Sequence, residues 1–257
     1  MRCSPQACSD RDGLAVILLA RVGRNGRRGR SAARRRARRG SLSAGQGLPY
    51  TAAMLDQAFS GVLRLAKEWA FPVSKETCER VGLYLTLLLQ WNHRVNLTGA
   101  RELGELVGDH LPDSFALAKL APLSASVVDI GSGGGLPALP FAILRPDCRV
   151  TMVEPRAKRI AFLNMAARSC ACGLVKVVRA RLEDQPPHAH LVAASRATFC
   201  PEDWLKLAPE LLSPGGVGIV FAVEPVDPGP SPRRLVDSIR YHTASGAPRW
   251  CGSFCFT

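Results

Sequence analysis

Apolar residues recur with two different periods along this chain, and the change of period divides it. From Met54 onward Phe59, Val62, Leu63 and Ala66 share one face at helical spacing, followed by Trp69, until Phe71-Pro72 ends the pattern. Ser74 reads as the cap of a second helix, in which Val81, Leu83, Tyr84, Leu85, Leu87, Leu88 and Leu89 make a strongly apolar run ending near Trp91-Asn92. A third helix is predicted over Glu102–Leu120, carrying His110 and Asp113. After Pro122 the pattern changes to short apolar runs. Val127–Ile130, Arg149–Val153, Val175–Val178, Leu191–Ala194 and Val217–Val223 read as strands, the last preceded by a Pro214-Gly215-Gly216 turn. Helices over Pro140–Leu144, Lys158–Arg168 and Glu202–Leu212 lie between them, and Ser238–Thr243 with Arg249–Phe256 predicts a terminal strand pair.

Strands alternating with helices imply crossover units and a mostly parallel, doubly wound α/β sheet of Rossmann-like type. The predicted organisation is an Arg-rich tail over 1–50, a small helical cap over 51–122, and the Rossmann-like domain over 123–257. No stretch reaches the ~18 consecutive apolar residues of a membrane span, so a membrane association is not expected.

Charge sharpens the division. The 257 residues carry a net charge of +13, but residues 1–50 hold 12 Arg against 2 acids. Arg21–Arg39 contains 10 Arg, too little apolar surface to offset the entropy of ordering, so the stretch is expected to be disordered. It reads as an RNA-binding arm, a targeting peptide, or sequence upstream of the true start. Met54 stands where organised sequence begins, which favours the last reading or a passive tail. The remainder is only mildly basic, which permits a polyanionic partner without requiring one. Nine cysteines at irregular spacings include Cys170-x-Cys172 and Cys251/Cys255 but no C-x-x-C pair. They read as reduced thiols of a cytoplasmic protein, not as a metal site. His188-x-His190 lacks a third ligand nearby and is not read as a metal site either.

The most informative segment is Asp129-Ile130-Gly131-Ser132-Gly133-Gly134-Gly135-Leu136-Pro137. It leaves a strand and enters a helix, the position at which an open parallel sheet binds its ligand. Two details narrow the ligand. The dinucleotide fingerprint asks for glycine or alanine where Leu136 stands. Asp129 precedes the first glycine by two residues, where a carboxylate repels a pyrophosphate and attracts an ammonium or sulfonium. S-adenosylmethionine fits and a nicotinamide dinucleotide does not. Glu154, after the second strand, is placed for the ribose hydroxyls, and Leu182-Glu183, after the third, for an adenine edge. Asp129, Gly131, Gly133, Gly135, Glu154, Leu182 and Glu183 together predict a class I methyltransferase site.

Met54–Leu212 resembles the small-subunit (16S) ribosomal RNA guanine-N7 methyltransferases, historically called glucose-inhibited division protein B. The likeness rests on Trp91-Asn92-x-x-x-Asn96-Leu97-Thr98, on His110-x-x-Asp113-Ser114, and on the run Val128–Pro137. It continues through Arg145-Pro146, Glu154 with Lys158-Arg159, Arg181-Leu182-Glu183, and Ser195-Arg196-Ala197. The glycine loop is shared by many methyltransferases; the first two segments are far more specific. The resemblance implies that Gly131, Leu136, Leu182, Glu183 and Arg196 contact S-adenosylmethionine, and that Asn96, His110, Lys158, Arg159 and Arg181 face the rRNA of the small ribosomal subunit. The protein is expected to be a cytoplasmic monomer that uses no metal. Guanine N7 carries no proton, so its attack on a sulfonium methyl needs alignment of the reacting atoms at about 3 Å but no general base, in keeping with the lack of a catalytic triad or paired carboxylates.

Three positions depart from the family pattern. Asp109 stands where a basic residue usually precedes the histidine, Glu224 stands where the fifth strand usually ends in Lys-Gly, and Trp250–Phe256 follows the last strand only loosely. The alternatives are a methyltransferase acting on a small molecule or protein, and an rRNA-binding homologue with weakened catalysis.

Overall fold

The structure, a computed structural model, describes residues 51–229 and 233–256. The expectations for the Arg-rich tail over 1–50 lie outside the described residues.

Helix α1 (Ala52–Glu68) starts two residues earlier than the apolar pattern suggests, because Thr51 supplies a cap: its hydroxyl accepts from Met54 N at 3.2 Å. Helix α2 (Lys75–Asn92) is capped by Ser74, which accepts from Thr77 N at 3.0 Å. The expected third helix is broken. A single turn, α3 (Leu103–Glu105), runs into a π-helical turn over Leu106–His110 and then into α4 (Pro112–Leu120). Pro112 has no N–H to give to the preceding turn, and the wider π turn closes instead through Leu111 N to Leu106 O at 2.9 Å.

The α/β part alternates β1 (Ser126–Ile130), α5 (Ala138–Leu144), β2 (Arg149–Val153), α6 (Ala157–Ser169), β3 (Val175–Val178), β4 (His190–Ser195), α7 (Pro201–Leu211) and β5 (Leu212–Ala222). It closes with β6 (Arg233–His242) and β7 (Pro248–Phe256). The single seven-stranded sheet has order β3-β2-β1-β4-β5-β7-β6, with β1 to β5 parallel and β7 antiparallel to both neighbours. This is a doubly wound α/β architecture of Rossmann-like type, as expected, extended by an antiparallel pair. Pro214-Gly215-Gly216, expected as a turn, falls within β5, whose pairing to β4 shifts between His190 and Val192.

Strand alternation gives the sheet two buried faces. Val127, Val150, Met152, Val192, Ala194 and Ile219 join the core built by α1, α2, α4, α5 and α6. Val128, Ile130, Val153, Ala193 and Val220 point the other way, against Trp204, Leu205, Ala208 and Leu211 of α7. The helices of the cap segment thus share one core with the central strands. Arg145 fastens α4 to this layer: its guanidinium donates to Ala118 O, Ala121 O and Pro122 O at 2.8 to 3.0 Å and to both oxygens of Asp147 at 2.8 Å. Among the described residues no helix is long and apolar enough to cross a membrane.

Candidate active site

Segments following β1, β2, β3 and β4 meet where the strand order reverses, the place at which a doubly wound sheet opens a crevice. The loop after β1 is held from several sides. Gly131 N and Ser132 N both donate to Val153 O, at 2.9 and 3.1 Å, and Gly135 N donates to Ser132 O at 2.7 Å. Tyr84, buried in α2, donates its hydroxyl to Gly134 O at 2.8 Å. Gly131 has φ of +77°, and a Cβ built there would lie 2.1 Å from Thr198 Oγ1, so conformation and space both demand glycine. Gly134 is demanded by space, since its Cβ would sit 2.9 Å from a Leu88 methyl.

Two acids lie behind the loop. Asp129 is 1% exposed and its Oδ2 has no hydrogen-bond partner. Burial pushes its carboxyl up to about 7, against the opposing pull of Ser132 and Arg196. Glu154 accepts from Gly133 N at 3.1 Å on Oε2 and from Arg156 N at 2.9 Å on Oε1, with Arg159 Nη1 at 3.5 Å. It therefore braces both the glycine loop and the start of α6, and keeps lone pairs to spare.

In front of these acids lie two adjoining cavities that share Gly131 and Thr198. The larger, of about 470 Å³, is walled by Ile130, Val153, Leu182 and Phe199 and rimmed by Arg156, Arg181 and Glu183. It offers an apolar slot with one acid at its edge, suited to a flat heterocycle bearing hydrogen-bond donors. The smaller, of about 280 Å³, is lined by Leu97–Gly99, His110, Gly131–Gly134, Leu136, Arg159 and Arg196. An apolar slot, a glycine cradle and a buried carboxyl with a free oxygen fit a cationic adenosyl ligand such as S-adenosylmethionine.

The far wall of the smaller cavity, at His110 and Arg196, is backed by a half-buried polar chain anchored on buried Asp113. Tyr241, on β6, donates its hydroxyl to Asp113 Oδ1 at 2.5 Å. Asp113 Oδ2 pairs with Arg196 Nε at 2.5 Å, and Arg196 Nη2 reaches His110 Nδ1 at 3.0 Å. Burial raises the Tyr241 phenol far above its ordinary range, so it stays a donor. Burial and then the Arg196 cation lower the His110 pKa, which Asp113 and Asp109 only partly oppose. Asp109, the residue found where a basic one is usual, accepts from Ser245 N at 2.9 Å. Beside it Ala244 N donates to Gly108 O at 3.0 Å, so the β6–β7 turn is clamped to the π-helical turn that carries His110.

Of the residues singled out by sequence, Gly131, Gly133, Leu136, Leu182, Glu183, Arg196, His110, Arg159 and Arg181 line the cavities. Arg181 lies in the larger cavity, beside the residues expected to hold the cofactor. Asp129, Gly135 and Glu154 stand behind the walls. Asn96 and Lys158 are exposed and line neither cavity, although Asn96 O accepts from Arg159 at 3.4 Å. Sequence reasoning quoted Asn92 and Asp113 without a role. Asn92 shapes the Leu97–Gly99 wall, accepting from Leu97 N and Thr98 N at 2.8 and 2.9 Å and donating to Thr98 O and Ala100 O at 2.9 and 3.1 Å. Thr198, Phe199 and Tyr241 were missed; no local motif marks them.

The sequence model of the GidB family, described as rRNA small subunit methyltransferase G, matches residues 77–223. A ribosomal RNA small subunit methyltransferase G from Dichelobacter nodosus is 42% identical over 135 residues, covering 52% of this chain and 64% of that protein. One from Myxococcus xanthus is 34% identical over 158 residues, covering 60% and 72%. The match thus spans just under two thirds of the Dichelobacter relative. Among solved structures, a SAM-dependent methyltransferase from Aquifex aeolicus is 14% identical over 61% of this chain and 94% of its own, at a TM-score of 0.46.

Proposed function

The chain belongs to the GidB family, rRNA small subunit methyltransferase G, and from that premise we propose that it methylates N7 of a guanine in the 16S rRNA of the small ribosomal subunit. The observation that carries this reading is the pair of adjoining cavities joined at Gly131 and Thr198, one apolar with Glu183 at its rim, the other lined by His110, Arg159 and Arg196.

S-adenosylmethionine, when bound, supplies an activated methyl group. Leu182, Ile130 and Phe199 flank its adenine in this reading, Glu183 accepts from an adenine or ribose donor, and Gly131 and Gly133 let the backbone approach. Asp129 contributes negative charge near the cation once it ionises. Glu154 fixes the loop through Gly133 N and takes a ribose hydroxyl with its remaining lone pairs. The second cavity receives the target base. Arg159 neutralises RNA phosphate or docks the base edge, Lys158, exposed outside the cavity, adds positive charge toward the RNA, and Arg196 braces His110 in the cavity wall. No residue is asked to take a proton from N7, so the chain's work is to exclude water and align the base. The compartment we infer is the cytoplasm, where small subunits are assembled.

The test is methyl transfer from labelled donor to small subunits purified from cells lacking this modification. The reading predicts label in 16S rRNA, recovered as 7-methylguanine. Label in free metabolites or ribosomal proteins, with none in the RNA, would refute it.

A further inference from the structure

The chain Tyr241–Asp113–Arg196–His110 fixes more than the position of a histidine. An arginine carries donors only and stays protonated, so the 3.0 Å contact between Arg196 Nη2 and His110 Nδ1 requires Nδ1 to be the acceptor. Arg196 cannot turn away to relax this demand, because Asp113, 2% exposed, holds its Nε at 2.5 Å and is itself held by Tyr241. The neutral imidazole then has one tautomer left, with its proton on Nε2. Protonation of Nδ1 would set two donors against each other, and burial together with the Arg196 charge lowers the ring's pKa, which favours the neutral form. Nε2 has no hydrogen-bond partner among the described residues, and the ring lines the smaller cavity together with Leu136, Arg159 and Gly131. The ring that carries this fixed N–H donor lines the space proposed for the target base.

We propose that His110 is a specificity-determining residue whose Nε2–H donates to the O6 of a target guanine while N7 of the same base is left free to accept the methyl group. The proposal rests on the functional reading above and adds to it the basis of base choice. Guanine presents two acceptors, N7 and O6, along this edge. Adenine presents an acceptor and the N6 amino donor, which would meet the Nε2 donor head on. A donor locked by a buried ion pair discriminates better than a freely titrating histidine, because it cannot change tautomer to suit the wrong base.

Two measurements test this on the full-length protein. Nitrogen-15 spectra of labelled protein, read without substrate, should show His110 as the Nε2–H tautomer at neutral pH. An Nδ1–H tautomer or an imidazolium would overturn the proposal. Methyl transfer is then compared between target RNA carrying guanine and the same RNA carrying 2-aminopurine, which keeps N7 and lacks O6. In the wild-type chain the guanine preference in kcat/KM should exceed that of His110→Phe by about tenfold, roughly the worth of one hydrogen bond. The His110→Phe ratio reports the intrinsic difference between the bases, and His110→Gln, which keeps an amide N–H near the Nε2 position, should restore most of the wild-type preference. Equal ratios in wild type and His110→Phe would overturn the proposal while leaving the functional reading intact. A wild-type chain that transfers no methyl to guanine would refute the functional reading, and the O6 contact with it. The substrate-free tautomer spectrum tells the two failures apart.

Discussion

Replacing Tyr241 by phenylalanine removes one oxygen atom from the molecule and little else. The ring would keep its edge contact with Trp69, whose centroid lies 5.1 Å away. What goes is the 2.5 Å bond to Asp113 Oδ1. Asp113 is buried and its other oxygen is already committed to Arg196, so the freed Oδ1 gains no water to replace the hydroxyl. A hydrogen bond to a charged group contributes about 1.5–3 kcal/mol. Tyr241→Phe is therefore expected to destabilise the fold by roughly 2 kcal/mol, and Asp113→Asn, which breaks a buried pair, by roughly 3–5 kcal/mol. The assay is urea unfolding at pH 7.5. With a slope of about 2 kcal/mol/M, Tyr241→Phe should lower the midpoint by about 1 M at unchanged slope. In the Asp113→Asn background the same change should cost much less, since the two positions share one network. A midpoint within about 0.25 M of wild type for Tyr241→Phe would refute the claim that the C-terminal hairpin buttresses the Arg196 wall.

Three further outcomes follow from the geometry. Asp129 is protonated below about pH 7 and ionised above it, and a cationic ligand favours the ionised form, so S-adenosylmethionine affinity should rise with pH through 7 with uptake of the ligand releasing protons; calorimetry in buffers of differing ionisation enthalpy checks this, and Asp129→Asn should flatten the profile. Arg145→Met should cost on the order of 2–3 kcal/mol, because three backbone carbonyls and Asp147 lose their donor. The Arg145 bond holds the Asp147 carboxyl well below the usual carboxylate range, so that stabilisation is present above the unfolded pKa of about 4 and is lost as pH falls below it; acid titrations followed by circular dichroism should show this dependence in wild type and not in the variant. Glu224 is exposed two residues beyond β5, and Glu224→Lys should tighten small-subunit RNA binding several-fold with a steeper salt dependence in filter binding.

The α/β core was legible because its central strands β1 and β4 are largely buried and β2 and β3 are short Val-rich runs, so β1 to β4 lie within a residue or so of the positions that hydrophobic runs assign. Strand β6 was read too short because most of its residues are exposed, which leaves no apolar alternation to follow. The π-helical turn was invisible for the opposite reason. Leu103, Leu106, Val107, Leu111 and Phe115 are all buried and keep a helical rhythm through the break, which only Pro112 betrays. The glycine loop could be found from sequence because its residues are contiguous. Asp113 and Tyr241 are separated by 128 positions, and their bond depends on how the last hairpin folds back onto α4. Glu154 shows a subtler limit, since its spacing suggested a ligand contact but its two oxygens also have backbone duties at Gly133 and Arg156.

The function of this chain depends on what the loop after β1 holds. Calorimetric titration of the purified full-length chain with S-adenosylmethionine and, separately, with a nicotinamide dinucleotide asks this directly. One S-adenosylmethionine should bind per chain, Gly131→Val should abolish that binding by driving a side chain into Thr198, and the dinucleotide should give no heat of binding. Saturable dinucleotide binding, or S-adenosylmethionine binding that survives Gly131→Val unchanged in a folded protein, would contradict it.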